Sequence, residues 1–423
     1  MSAVDPPWKE LEARLQRGEF DEEGLADAVD RAGLAEEAGA PARLIDYLSA
    51  AWNLLRQDPG VALARARIAE AVAERLDAAP VLRAELSRRR SAAHFVRGET
   101  RASGEAARRG LALLSADVAR EDPFVAESRS ALLSLLANAS LADGRREEAL
   151  VALEEAIALA RRHSLRGHLG IALTGLGNAR LAAGAPTAAA PYYEEALELA
   201  RERSDPGAVA VNLGNLGLVH QAHGRLRAAE DAFEEALGQA RRAGDRQGEA
   251  SLEANLGALL LERGALEAAQ RRLEASLRLS RTLGDARTAT AALVRLASVL
   301  RERGALPEAS RALDAAGRTR AEGAPADDAS LLSARGELCL ARREASAAGR
   351  CFARALEAAR AAHDPRGECS ALLGIGRARL AEDDLAEALA ALDAARTLAD
   401  EVEEVALAAE IETARADALA RRG

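Results

Sequence analysis

The chain has 423 residues, of which 49% are hydrophobic but only 2% aromatic, and its net charge is −10. Apolar content drawn mainly from Ala and Leu, with few β-branched or aromatic residues, favours helix and leaves little from which to build a sheet. The acidic balance argues against a nucleic-acid binder, which carries a basic patch or stripe, and no apolar run reaches the length of a membrane span.

Cys339, Cys351 and Cys369 form no C-x-x-C pair, as expected of a chain in a reducing compartment. The opening residues MSAVDPPW lack the basic and apolar regions of a signal peptide, so a cytoplasmic location is expected. Lys9 is the sole lysine among many arginines, a bias that points to a GC-rich bacterial genome.

In chain order, residues 6–37 read as helical but off the pattern that follows. We expect a divergent N-terminal helical cap over 1–41, with Trp8 and Phe20 packing onto the first regular unit. A period then takes over. Turn positions fall at Gln57, Gly98, Gly144, Gly184, Gly224, Gly264, Gly304, Arg343, Asp383 and Gly423, spaced 39 to 41 residues apart except for a longer connection around 115–127. One amphipathic helix precedes each turn and another follows it, the signature of a repeat array.

Each unit has fixed slots. Seven residues before the turn stands a small residue: Ala50, Ser91, Ala137, Gly177, Gly217, Gly257, Ala297, Gly336, Gly376 or Ala416. Small residues recur five and twelve after the turn, as in Ala189 and Ala196 or Ala229 and Ala236. Nine after it stands a large one: Leu153, Tyr193, Phe233, Leu273, Leu313, Phe352 or Leu392. Side-chain size sets the distance between packed helices, so small slots on both helices allow close approach.

These slots resemble the tetratricopeptide repeat (TPR), with NLGLVHQAHGRLRAAEDAFEEALGQAR at 215–241 a good copy. The period of about 40 residues resembles the long-linker subclass of Pins-like and kinesin-light-chain-like proteins. The resemblance implies an all-α fold: a right-handed superhelical solenoid of antiparallel helix pairs. It divides the chain into the cap, about nine helix pairs over 42–405, and a C-terminal capping helix over 406–423.

Some positions depart from the pattern. Arg90 and Arg335 occupy the large apolar slot of the first helix; Arg343 and Asp383 replace the turn glycine; Gly317 and Arg396 replace apolar residues in the second helix. Pro191 falls inside a second helix, which is expected to start late or bend. Pro307 sits near a helix start, where proline is tolerated.

Candidate chemistry is sparse. Gly175-Leu176-Gly177 and Gly374-Ile375-Gly376 each fall one residue short of a dinucleotide-binding G-x-G-x-x-G, but both lie mid-helix with no strand before them and with Arg180 or Arg379 in the third glycine's place. Gly177 reads as a packing glycine and Gly175 as one without a packing return. His220 and His223 are three residues apart, yet no third ligand accompanies them, and His163 and His168 read as solvent-facing. The Glu pairs Glu154-Glu155, Glu194-Glu195 and Glu234-Glu235 recur at one place in the second helix, which suits a solvated helix face rather than an acid–base pair. No nucleophile elbow, P-loop or Cys–His constellation is present, so neither an enzyme nor a cofactor or metal site is expected.

In TPR proteins the first helix of each pair lines the concave, ligand-facing surface. Mapped by spacing from the turn, that face and its flank carry Asn138, Thr174, Asn178, Asn215, Gln221, Asn255, Arg295, Arg301, Glu337 and Arg377 in a lining otherwise small and apolar. The resemblance implies that asparagines of this kind hold peptide backbone. It also implies a protein or peptide partner rather than nucleic acid or membrane, and a scaffold or adaptor role. The alternative is a regulatory, ligand- or partner-sensing array serving a separate effector. Self-association through the terminal faces is a further possibility.

Overall fold

The computed structural model describes residues 7–32, 58–319 and 325–422, and every described element is helical. Gln57, Ala50, Tyr47 and Gly423 lie outside the described residues, as does the side chain of Trp8. The chain divides into two compact units, Met1–Leu176 and Gly177–Gly423. Helix α9 (Arg166–Ala182) contains the division.

The first unit holds α1 (Pro7–Gln16), α2 (Glu22–Arg31), α3 (Pro59–Arg75), α4 (Pro80–Val96), α5 (Thr100–Ala112), α6 (Ala116–Glu121), α7 (Pro123–Ala142) and α8 (Arg146–Arg162). Leu11, Leu15, Leu25 and Val29 of the first two helices pack on Ile68 and Val72 of α3, with Phe20 against the same cluster. The basic stretch 86–98 is less solvated than its composition implies. Arg88 and Arg89 pair with Glu85, and Arg90 with Glu70 at 2.8 Å. Burial works against the Glu85 carboxylate, but hydrogen bonds and charge from Arg88 and Arg89 win and hold its pKa below the usual range.

The second unit continues with α10 (Pro186–Glu202), α11 (Pro206–Ala222), α12 (Leu226–Ala243), α13 (Arg246–Glu262), α14 (Leu266–Leu283), α15 (Ala286–Glu302) and α16 (Leu306–Thr319). It ends with α17 (Pro325–Ala341), α18 (Ala345–Ala361), α19 (Pro365–Ala381), α20 (Leu385–Glu401) and α21 (Val405–Arg422). Each helix from α10 onward packs against the next. Asp205, Asp245, Asp285 and Asp364 start α11, α13, α15 and α19 in one way, each side chain accepting a backbone N–H three residues on at 3.0 Å. Such a cap contributes about 1 kcal/mol.

The small slots are filled from below. A Cβ on Gly217 would lie 2.6 Å from the Phe233 ring, one on Gly177 2.5 Å from Tyr193, and one on Gly336 2.7 Å from Phe352. Glycine is thus required by the large residue of the following helix, and Tyr193, Phe233 and Phe352 are fully buried. The turns need glycine for a different reason, since Gly184, Gly224, Gly264 and Gly304 have φ between +68° and +77°. Arg343 and Asp383 adopt the same left-handed conformation at +64° and +63°, at a cost a glycine would avoid.

Three expectations need correction. Helix α10 does not start late: it begins at Pro186 and runs through Pro191. Both Pro191 and Thr187, whose carbonyl loses its donor, are exposed, so water can take the missing bond's place. Gly175 does have a packing role, because a Cβ there would meet Leu153 Cδ2 at 2.8 Å. His163 does not simply face solvent; its Nε2 lies 3.0 Å from the Ala119 carbonyl oxygen. Arg335 and Gly317, two separate departures in sequence, are neighbours. A Cβ on Gly317 would come within 3.3 Å of the Arg335 guanidinium, which reaches Asp314 at 3.5 Å. The glycine makes room for the arginine.

Candidate functional site

The ten candidates divide between the units. Asn138 and Thr174 belong to the first. Asn138 is half-buried, and the Thr174 hydroxyl donates to the Gly170 carbonyl of its own helix at 2.9 Å, so much of its polarity is satisfied locally. The other eight lie in the second unit, on the first helices of successive pairs.

There they form two rows. The first is made of amides. Asn178 on α9 accepts through Oδ1 from the Tyr193 hydroxyl at 2.9 Å and from Asn215 Nδ2 on α11 at 3.1 Å. The Tyr193 ring is buried beneath, and burial raises its pKa, so its hydroxyl stays a donor. Gln221, near the end of α11, donates to Glu262 at the end of α13 at 2.8 Å. Asn255 takes the same register on α13 that Asn215 takes on α11, and is half-buried.

The second row is ionic. Arg301 on α15 lies 4.0 Å from Glu337 on α17, Glu337 lies 3.5 Å from Arg377 on α19, and Arg377 pairs with Glu410 on α21 at 2.7 Å. Alternating charges thus run across four helices and largely neutralise one another.

Arg295 stands between the rows. It holds on α15 the register of Asn215 and Asn255, is half-buried, and has no hydrogen bond or ion pair among the described residues. Burial, and then the charge of Arg366 on α19, lower its pKa to about 10. Helices α15 and α19 are separated by a whole helix pair.

The unit also returns on itself. The loop after α20 reaches the turns that open α10 and α12. The Thr187 N–H donates to Glu403 Oε2 at 3.0 Å, across 216 positions of sequence. A Cβ on Gly184 would lie 2.7 Å from Val402 Cγ1. Arg225 donates to His223 Nδ1 at 2.8 Å, which leaves the Nε2–H of a neutral imidazole to donate to Thr187 Oγ1, 3.1 Å away. The hydrogen bonds from Thr187 hold the Glu403 pKa below the usual range. Next in sequence, Glu404 pairs with Arg366 at 2.9 Å. Burial raises the Glu404 pKa despite that partner, with Glu262 adding to the rise. We call this set of contacts the clasp.

Tyr193, Glu262, Arg366, Glu404 and the clasp residues were not among the candidates. Tyr193 was legible only as a core residue. Arg366 and Glu404 lie near helix starts, and nothing in their local sequence marks them. His220, next to this region, has a buried Nδ1 without a hydrogen-bond partner, and burial pulls its pKa down. Burial raises the Cys369 pKa to about 12, so this thiol, which donates to the Ala395 carbonyl at 3.3 Å, is a packing group and not a nucleophile. Among the described residues no group of His, Cys, Asp and Glu could hold a metal ion, and no helix is long and apolar enough to cross a membrane.

Residues 166–414, more than half of the chain, match the family described as the MalT-like TPR region. No curated protein matches the sequence. Among solved structures, a Rap protein complexed with competence and sporulation factor is similar at 13% identity, covering 86% of this chain and 99% of that one with a TM-score of 0.64. The apo form of the quorum sensor NprR from B. thuringiensis is similar at 15% identity, covering 84% and 97% with a TM-score of 0.55. The apo form of RapI, also 15% identical, covers 65% and 98% with a TM-score of 0.51. At such identities the likeness is one of fold.

Proposed function

The chain belongs to the MalT-like TPR region family, and on that premise we propose that the first helices of its second unit line a hollow that holds an extended segment of a partner protein, the chain acting as a binding scaffold or adaptor. The observation that carries this reading is the row Asn215, Asn255 and Arg295. These residues share one register on three successive first helices, and the last two have no partner among the described residues. Spare amide and guanidinium groups at regular intervals, set among small and apolar side chains, suit a peptide whose backbone is held by amides and whose side chains lie in the gaps. The 40-residue period and the Asn–Leu–Gly and Leu–Gly–Asn copies at 215–217, 255–257 and 176–178 support placing the array near the Pins-like, long-linker subclass.

The test is retention of peptides from a random dodecamer pool by the immobilised full chain. Asn215→Ala combined with Asn255→Ala should lower retention about tenfold, since two hydrogen bonds to the ligand are removed at roughly 0.5–1.5 kcal/mol each. Retention undiminished by the pair would refute the groove reading.

A second reading, a sensing array, draws support from the clasp. A ligand that widens the hollow would strain contacts between the unit's two ends. The Rap structure holds competence and sporulation factor, and NprR is called a quorum sensor. Under this reading the Thr187 amide, which donates to Glu403, should lose protection from hydrogen exchange when a retained peptide is added. A plain scaffold should leave it unchanged.

A further inference from the structure

We propose that the clasp is a gate on the partner site: the second unit opens along the seam between Gly184 and Val402, and a segment flanked by folded domains enters through that opening. This rests on the reading of the first helices as the lining of the partner's site.

The seam is built unlike the links along the chain. From α10 to α20 each helix packs against the next. The link between the unit's ends instead joins a loop to two turns and a helix start. The Thr187 N–H donates to Glu403 at 3.0 Å, and His223 Nε2 lies 3.1 Å from Thr187 Oγ1 and 3.9 Å from Glu403. Thr187, Arg225 and Glu403 are exposed, so water can replace these bonds as they break. Val402 is the apolar part of the seal, 2% exposed beside the Gly184 turn. A link of few, mostly solvated contacts opens before the helix pairs it joins.

Gly184 shows how tightly the seam closes. It shares a left-handed φ of +68° to +77° with Gly224, Gly264 and Gly304. A Cβ on Gly264 or Gly304 would meet nothing within 4 Å, and one on Gly224 would rest 3.8 Å from Val405 Cγ1, an ordinary contact. On Gly184 it would lie 2.7 Å from Val402 Cγ1 and 3.0 Å from Val402 Cα, a backbone atom that no change of rotamer moves aside. Turn geometry favours glycine at all four positions; at Gly184 the facing loop requires it as well.

The contacts thus form a circuit, from α10 through α20 and back across the seam. A partner with a free end can pass into such a circuit end-first. One held at both ends between folded domains cannot, and enters where the circuit breaks.

The experiment uses the immobilised full chain and one random dodecamer pool presented in two ways, as free peptides and inserted between two folded carrier domains. Hydrogen exchange at the Thr187 amide reports the seam. Gly184→Ala wedges the seam, and Val402→Ala thins it from the loop side without touching the turn. Gly264→Ala is the control, with the same strain in a left-handed turn away from the seam. Uptake of the flanked pool scales with the fraction of open molecules, so wild type should take it up about tenfold more slowly than the free pool. Gly184→Ala and Val402→Ala should speed Thr187 exchange and flanked uptake by one common factor of about ten, since both follow the open population. Free uptake should be unchanged, and Gly264→Ala should match wild type throughout. If Gly184→Ala does not fold, Val402→Ala decides. Equal uptake of both presentations by wild type, faster exchange without faster flanked uptake, or a Gly264→Ala effect equal to that of Gly184→Ala overturns the gate and leaves the peptide site standing. No retention of either presentation by any variant overturns both.

Discussion

The two rows in the second unit lie on the same kind of helix and reach opposite ends. The ionic row of Arg301, Glu337, Arg377 and Glu410 closes on itself, each charge meeting its opposite on the next helix. The amide row closes where Asn178 takes both Tyr193 and Asn215 and where Gln221 donates to Glu262, and opens at Asn255 and Arg295. A ligand entering the ionic row would have to break existing pairs, whereas one entering the open part of the amide row gains bonds and breaks none.

The comparison can be strained most from beneath. Tyr193→Ala removes a fully buried ring and the hydroxyl that Asn178 accepts, and should cost about 3–5 kcal/mol in urea unfolding. Gly217→Ala forces a Cβ to within 2.6 Å of Phe233 and should cost about 1–3 kcal/mol by overpacking. Tyr193→Phe keeps the ring and loses only the bond to Asn178. It should cost about 1 kcal/mol and free an Asn178 oxygen, which peptide retention would register as a change at the closed end of the row.

On the ionic side, Glu337→Gln should cost less than about 1 kcal/mol, because its pairs are long and partly exposed, and the loss should shrink as salt is raised. The smallest effect tests the clasp. Thr187 holds the Glu403 pKa below its ordinary 4.5. A carboxylate lowered in the folded state contributes stability that is present above the ordinary value and lost as pH falls through the lowered one. Wild type should therefore exceed Glu403→Gln in urea midpoint at neutral pH, and the two should converge in acid. A gap independent of pH would show that the clasp does not depend on the Glu403 charge.

Much of the fold was legible because packing imposes a period. Close approach of two helices needs a small residue at one fixed point and a large one opposite, and Gly217 with Phe233 repeats as Gly336 with Phe352. The candidate face was legible as one side of a helix for the same reason, since a helical face is fixed by spacing from a turn. Arg335 and Gly317 show the limit. Each breaks the pattern alone, and only their contact shows that one compensates the other. Gly175 shows it too, because nothing in its own helix announces Leu153 of the helix before.

The sequence by itself determined that the chain is helical, where its turns fall, and which side chains share one face of a helix, because these follow from local propensity and a repeated spacing. Only the tertiary structure decided which polar groups on that face are already spent. Pairing depends on how far successive helix pairs rotate, a small angle that no single repeat encodes. Accumulated over the second unit, it brings Glu403 to Thr187, residues separated by 216 positions, and leaves Arg295 without a counter-ion among the described residues.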